Sequence, residues 1–141
     1  MASQSKFNVF THDLCRGAHL FQTHTYKVML TNTAPVATNA VKTDLTEITA
    51  ASGYASGGPA TTVTEATSGG VETISGTQLV ITAAAVIGPF RYAALYNDTQ
   101  TTPAKPLVSW FDYGAALTLQ IGDSLTIQFN SATPGTIMTV T

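Results

Sequence analysis

The residues best suited to chemistry lie near the start of the chain, where all three histidines and the single cysteine fall within thirteen positions. The group consists of His12, Asp13, Cys15, His19 and His24. Imidazole and thiolate are ligands that zinc prefers in a closed tetrahedral site. The spacing is poor for such a site, because His12 and Cys15 can share one face of a helix while His19 and His24 lie beyond it. We therefore expect the histidines to pack at a helix-to-strand junction or to face solvent, with no metal or other cofactor.

The sequence displays no other motif that is associated with catalysis. No serine lies in a Gly-x-Ser-x-Gly turn, and no glycine-rich loop ends in the Gly-Lys-Ser/Thr of a phosphate-binding loop. The eight Asp and Glu residues are dispersed along the chain, and none of them falls in an acidic cluster with the spacing of a calcium loop. A paired general acid and base could still assemble in three dimensions, but we expect a protein that is not an enzyme.

Composition excludes several classes of partner. Only 10% of the 141 residues are charged, and the net charge is −2 with six scattered Lys and Arg residues. Binding to a phosphate backbone needs clustered cations, so we expect no nucleic acid partner. The first residues lack the apolar core of a signal peptide, and no window reaches the ~18 apolar residues of a membrane span. We expect a protein that is made in a cytoplasm and does not enter a membrane.

The elements that must position any site are organised around residues 88–114. Alternation there predicts a β-hairpin that forms the centre of the core, with a polar turn over 97–105. One side of its first strand carries Phe90, Tyr92, Ala94 and Tyr96. In its second strand Trp110 and Phe111 point to opposite sides, so one of these two faces must be partly outward.

The remaining chain predicts a short helix followed by β-structure. Phe7, Phe10 and Leu14 have helical spacing ahead of Gly17. Residues 24–31 alternate as the first strand, and Asp44 with Glu47 three residues later resembles the capping box of a helical turn. Short strands over 61–67, 71–74 and 78–82 suggest a meander, and Pro134-Gly135 turns the chain into the last strand.

These patterns predict an all-β fold. Eight or nine short strands at regular spacing are typical of an antiparallel β-sandwich or jelly-roll-like domain, here preceded by a short N-terminal helix. We divide the chain into an N-terminal helical arm, residues 1–23, and a β-sandwich domain, residues 24–141.

Two runs of the sequence resemble a widespread group of tailed-bacteriophage structural proteins. They are YKVMLTNTAPVATNAV at 26–41 and DLTEITAASGYASGG at 44–58. Members of the group carry a K-V-x-L-T-N-T-A-P strand and loop followed by a G-Y-x-x-G-G loop. The chain resembles them again at 88–99, at 105–114 and in the closing strand GDSLTIQF. The specificity lies in the order and spacing of these motifs, which cover nearly the whole chain from residue 18 onward.

The resemblance implies a virion component made in the host cytoplasm, and not an enzyme. Our first hypothesis is a capsid decoration or cement protein that binds the major capsid protein on the outside of the head as a homotrimer. Loops with few charges suit that role, because interface cores are depleted of charged residues. The candidate contact residues lie in loops 32–42 and 53–58, which could equally be plain solvent loops: Asn32, Thr33, Pro35, Val36, Asn39, Tyr54, Gly57 and Gly58.

The second hypothesis places the protein in the tail. A baseplate adaptor or a fibre-base domain would recognise a receptor or a cell-surface sugar. A sugar site needs exposed aromatic rings beside polar side chains, and Tyr54, Trp110 and Tyr113 are the candidates to supply them. The sequence alone leaves the position in the particle open.

Overall fold

The computed structural model describes residues 3–130 and 135–141, in which ten strands and one α-helix follow one another. A short 3-10 helix, Lys42–Asp44, lies in the long connection after the second strand. In chain order the elements are β1 (Ser3–Lys6), α1 (Asn8–Cys15), β2 (Tyr26–Thr31), β3 (Ala60–Thr61), β4 (Val63–Ser68), β5 (Val71–Gly76), β6 (Leu79–Thr82), β7 (Ile87–Asn97), β8 (Leu107–Leu119), β9 (Ser124–Ile127) and β10 (Gly135–Val140).

The strands form three antiparallel sheets. The main sheet has the order β1-β8-β7-β2-β3, a second sheet has the order β10-β5-β4, and β6 pairs with β9 in a third. The long hairpin of β7 and β8 lies inside the main sheet, as its alternating sequence predicts. The predicted all-β class and the short N-terminal helix are confirmed.

The main sheet is covered on both faces. Its larger core cluster joins β2, β7 and β8 to the two smaller sheets through residues such as Val28, Leu95, Ile74, Ile81 and Phe129. A smaller cluster on the central strands comprises Phe7, Met29, Leu45, Ala94, Tyr96 and Leu107, with Val9 and Trp110 packed against it. Burial on both faces explains why β2 is nearly continuously apolar, because both sets of alternating side chains leave water.

One detail of the predicted hairpin is wrong. Phe90 packs in the larger cluster with Ala93 and Leu95, whereas Ala94 and Tyr96 belong to the smaller one. The pairing with β8 is irregular between Phe90 and Tyr92, and the face on which the β7 side chains lie changes across this irregularity. Strict alternation over 90–96 therefore assigns Phe90 to the wrong side.

The first residues contribute to the same core. The predicted helix is present as α1, and Phe10 on it is buried in the larger cluster. The sequence did not predict β1, which pairs with β8 at the edge of the main sheet. The four residues of β1, SQSK, show no apolar alternation. The strand can therefore be recognised only from its pairing with β8. The boundary between an arm and a sandwich domain at residue 23 stays a prediction.

Two further expectations for the first half of the chain are wrong. Asp44 does not begin a helical turn: the 3-10 helix ends there, and the Asp44 carboxylate accepts hydrogen bonds from the backbone N–H groups of Ala40 and Val41. The meander is also broken, because β6 leaves its neighbour β5 and pairs with β9. Of the predicted Pro134-Gly135 turn, Pro134 lies outside the described residues.

Candidate functional site

Most of the first predicted contact loop, residues 32–42, is exposed. Asn32, Thr33 and Val36 are exposed, while Pro35 and Asn39 are half-buried. The loop carries no charged residue before position 42. The side chain of Val36 is 53% exposed, which makes it one of the few large apolar side chains at the surface of the described chain.

Hydrogen bonds hold this loop in one shape. The Val36 N–H donates to Asn39 Oδ1 at 2.8 Å, and the Asn39 N–H donates back to the Val36 carbonyl at 2.9 Å. The Ala37 carbonyl accepts a bond of 2.9 Å from the N–H of Asn8, the first residue of α1. Farther along, the Ala40 carbonyl accepts the N–H of Leu107 at 3.0 Å. The exposed loop is thus fixed to α1 and to the beginning of β8.

The second predicted loop, residues 53–58, is organised around a buried tyrosine. Tyr54 is 1% exposed, and its hydroxyl donates to Glu47 Oε1 at 2.7 Å while accepting the Leu30 N–H at 2.9 Å. The structure therefore places Tyr54 in the core, where its side chain is not available to a partner. Tyr54 thus anchors the loop to the core, which its selection as a contact residue did not predict.

The two glycines of this loop lie close to the main sheet. Gly57 and Gly58 have φ angles of +93° and +77°, which favour glycine. A Cβ atom on Gly58 would lie 1.9 Å from the Val28 carbonyl oxygen. The Gly57 carbonyl accepts a bond of 2.7 Å from the Tyr96 hydroxyl. Packing against the sheet accounts for both glycines without a partner.

Glu47 connects the elements around this loop, although the sequence predicted only a helix cap for it. Its carboxylate accepts hydrogen bonds from the Gly57 N–H at 2.5 Å and from Lys42 Nζ at 2.8 Å, besides the Tyr54 hydroxyl. Partial burial alone would raise the pKa of Glu47, but the bonds from Lys42, Tyr54 and Gly57 outweigh it and lower the pKa below its usual value. Glu47 is therefore held in its ionised form.

Of the histidine group, His19 and His24 meet at Asn97. The Asn97 side-chain amide lies 2.8 Å from His24 Nδ1, 3.4 Å from His19 Nδ1 and 3.1 Å from the Ala18 carbonyl. The Tyr26 hydroxyl lies 3.3 Å from His19 Nδ1. The residues pack at the junction of the α1–β2 connection with the main sheet. Within residues 3–130 and 135–141, no three His, Cys, Asp or Glu side chains are arranged to hold one metal ion.

The members of this group differ strongly in environment. His12 and Cys15 are exposed, whereas Asp13 and His19 are buried. Burial, with a smaller contribution from the nearby His24, lowers the pKa of His19 to about 4. His19 is consequently neutral at pH 7.

The three aromatic residues that were candidates for a sugar site lie in different environments. Tyr54 is buried, and the half-buried Trp110 packs on Phe7 with ring centroids 4.5 Å apart. Tyr113 is 55% exposed and lies at a cavity of about 380 Å³ between β7, β8 and β9. Of these three rings, only that of Tyr113 is largely exposed, so they do not form a shared platform.

The comparisons add no relative to this description. No model of a known protein family, no curated protein and no solved structure matches the chain. In the part of the chain that the structure describes, no helix is long and apolar enough to cross a membrane.

Proposed function

We propose that this chain is a non-enzymatic structural protein of a bacteriophage virion that decorates the outer surface of the head. One observation carries the proposal: residues 32–39 form an exposed, uncharged loop that the fold holds in a single shape. The resemblance of this loop and its flanking strand to phage structural proteins supports the same assignment.

The geometry of the loop suits docking onto a protein lattice. A loop that is held by hydrogen bonds before binding loses less conformational entropy when it binds than a loop without them. Val36 offers an apolar contact, and the absence of charge avoids the desolvation of an unpaired ion. Each contact of this size is weak. Three copies assembled as a trimer would bind much more tightly, since the second and third contacts form at high effective concentration.

The docking role is tested with two matched valine variants. Val36 on the loop and Val80 on β6 are 53% and 55% exposed, so an aspartate at either position should leave the fold intact. We expect Val36→Asp to abolish binding to purified heads assembled without this protein, as measured by co-sedimentation. Val80→Asp should bind like the unchanged protein. Equal binding by both variants, with unchanged melting temperatures, would overturn the assignment of the loop.

The position in the particle is tested by copy number. A decoration protein is present in a fixed ratio to the major capsid protein, whereas a tail or baseplate component is present in far fewer copies. Quantitative staining of purified virions against the capsid band measures this ratio. A low ratio would favour the alternative function, an adaptor or receptor-binding module of the tail, and would contradict decoration of the head.

A further inference from the structure

A cleft of about 360 Å³ opens between the α1–β2 connection and the sheet formed by β4, β5 and β10. His19, Leu20 and Phe21 line it on the side of the connection, and Glu65 and Glu72 line it on the side of the sheet. This volume lies within the range of small-molecule sites. Gln22 and Thr23 line it as well, so the cleft combines an apolar wall with five side chains that can form hydrogen bonds.

The strand register brings the two carboxylates to the same side of their sheet. Glu65 on β4 pairs with Ile74 on β5, and Glu72, two residues before Ile74, pairs with Val140 on β10. Glu65 and Glu72 are thus diagonal neighbours, a relationship that places side chains about 7–8 Å apart. No ion pair among the described residues involves either glutamate, and no Lys or Arg lines the cleft. The sheet side of the cleft accepts hydrogen bonds and offers no positive charge.

The opposite wall supplies a hydrogen-bond donor from His19. The two amide hydrogens of Asn97 are used by the Ala18 carbonyl at 3.1 Å and His24 Nδ1 at 2.8 Å. The Tyr26 hydroxyl lies 3.3 Å from His19 Nδ1, and we assign it as the donor to that nitrogen. The hydrogen of the neutral imidazole is consequently on Nε2. Nε2 has no partner in the described protein, although His19 is only 4% exposed.

One carboxylate oxygen of Glu72 also lacks a hydrogen-bond partner. The Thr67 hydroxyl donates to one oxygen of its carboxylate, Oε2, whereas Oε1 is buried and has no partner. A buried donor and a buried acceptor without partners are each costly, and each is satisfied by a ligand or by water. A ligand in the cleft that accepts from His19 and donates to Glu72 would satisfy both groups.

A hydroxyl group meets both requirements, because it donates one hydrogen bond and accepts others. An alkylammonium ion would pair with the carboxylates but has no acceptor for the His19 N–H. We propose that this cleft binds a neutral polyhydroxylated ligand the size of a single sugar residue. Its hydroxyl groups bond His19 Nε2, Glu72 and Glu65, and its C–H surface packs on Leu20 and Phe21. This inference does not depend on where the protein lies in the particle.

The test is an NMR titration of the protein with glucose, galactose, mannose, N-acetylglucosamine and propylamine, each added separately. We expect saturable shifts of the His19 imidazole resonances with at least one sugar, at millimolar concentration. The affinity should be independent of salt because the ligand is neutral. Glu72→Gln should weaken binding about tenfold, since it removes a hydrogen bond to a charged acceptor. Asp123→Asn, a matched change outside the cleft, should bind like the unchanged protein.

A second variant tests the site without altering its polar groups. Leu20 is exposed at the rim, so Leu20→Ala should fold normally and remove apolar surface on which the C–H face of the sugar packs. It should lower the sugar affinity while the melting temperature stays unchanged. Three results would each overturn the proposal: no saturable shift with any of the four sugars, salt-dependent binding of propylamine alone, or sugar binding that both cleft variants leave unchanged.

Discussion

The Tyr54 hydroxyl joins the backbone of β2 to the Glu47 carboxylate, at 2.9 Å from the Leu30 nitrogen and 2.7 Å from Glu47 Oε1. The ring of Tyr54 is buried in the larger core cluster. The Tyr54 side chain therefore connects its own loop, residues 53–58, to the Glu47 carboxylate and to β2, an inner strand of the main sheet.

Tyr54→Phe should lower the free energy of unfolding by about 1–3 kcal/mol, because it leaves the buried Leu30 N–H without its acceptor and removes one donor from Glu47. Urea denaturation at pH 7 measures the change. Tyr113→Phe is the matched control: its ring is largely exposed, and the change should stay within about 0.5 kcal/mol. If Tyr54→Phe left the free energy of unfolding unchanged, the hydroxyl would not stabilise this region.

Stability should fall as the pH falls from about 6.5 to about 4, because His19 is buried as a neutral group. Its pKa is lowered from 6.5 to about 4 in the folded chain, so the unfolded chain binds more protons across this interval. We expect a loss of about 2–3 kcal/mol over that range. In His19→Gln, the free energy of unfolding measured at several pH values should depend less steeply on pH than in the unchanged protein.

Gly58→Ala should destabilise the protein strongly, because the new Cβ atom would overlap the Val28 carbonyl oxygen at 1.9 Å. The matched control is Gly69→Ala. Gly69 has a φ angle of +58° but no atom within 4 Å of an added Cβ. Gly69→Ala measures the cost of a left-handed backbone alone, about 1 kcal/mol of the free energy of unfolding. We expect Gly58→Ala to lower the free energy of unfolding by about 3 kcal/mol or more. Equal melting temperatures would contradict the close approach of Gly58 to β2.

Phe111→Ala should cost about 3–5 kcal/mol, the usual cost of removing a buried phenylalanine. Phe111 is 8% exposed and packs against Phe129 with ring centroids 5.6 Å apart. Trp110 lies on the other face and is half-buried on Phe7, so Trp110→Ala should cost less. Chemical denaturation of both variants shows which substitution lowers the free energy of unfolding more. A smaller loss for Phe111→Ala than for Trp110→Ala would reverse our assignment of the larger core.

Alternation was a good guide where a strand is long and regular. It predicted β2 and the pairing of β7 with β8, because a half-buried or buried strand imposes a period of two on its sequence. The same rule failed at Phe90, next to an irregularity in the pairing of β7 with β8. The register of a pair is a property of two strands together, and one sequence window does not contain it.

Contacts between residues distant in the chain were not predictable from patterns. β1 is polar and owes its conformation to β8, more than a hundred residues later. Glu47 was assigned to a helix cap from its spacing to Asp44, yet its partners include Tyr54 and Gly57 in the next loop. The cleft likewise depends on the register of β4, β5 and β10, which brings Glu65 and Glu72 to one side.

The pairing of β1 with β8 also bears on synthesis of the chain. Ser3 and Lys6 pair with Asp112 and Ser109, so β8 leaves the ribosome more than a hundred residues after β1. Non-local strand pairing of this kind forms slowly, because a long intervening loop must close first. Until β8 arrives, the nascent chain also exposes the apolar side chains of β2 and β7. We therefore expect ribosome-bound chains that end before β8 to depend on chaperones and to aggregate when released.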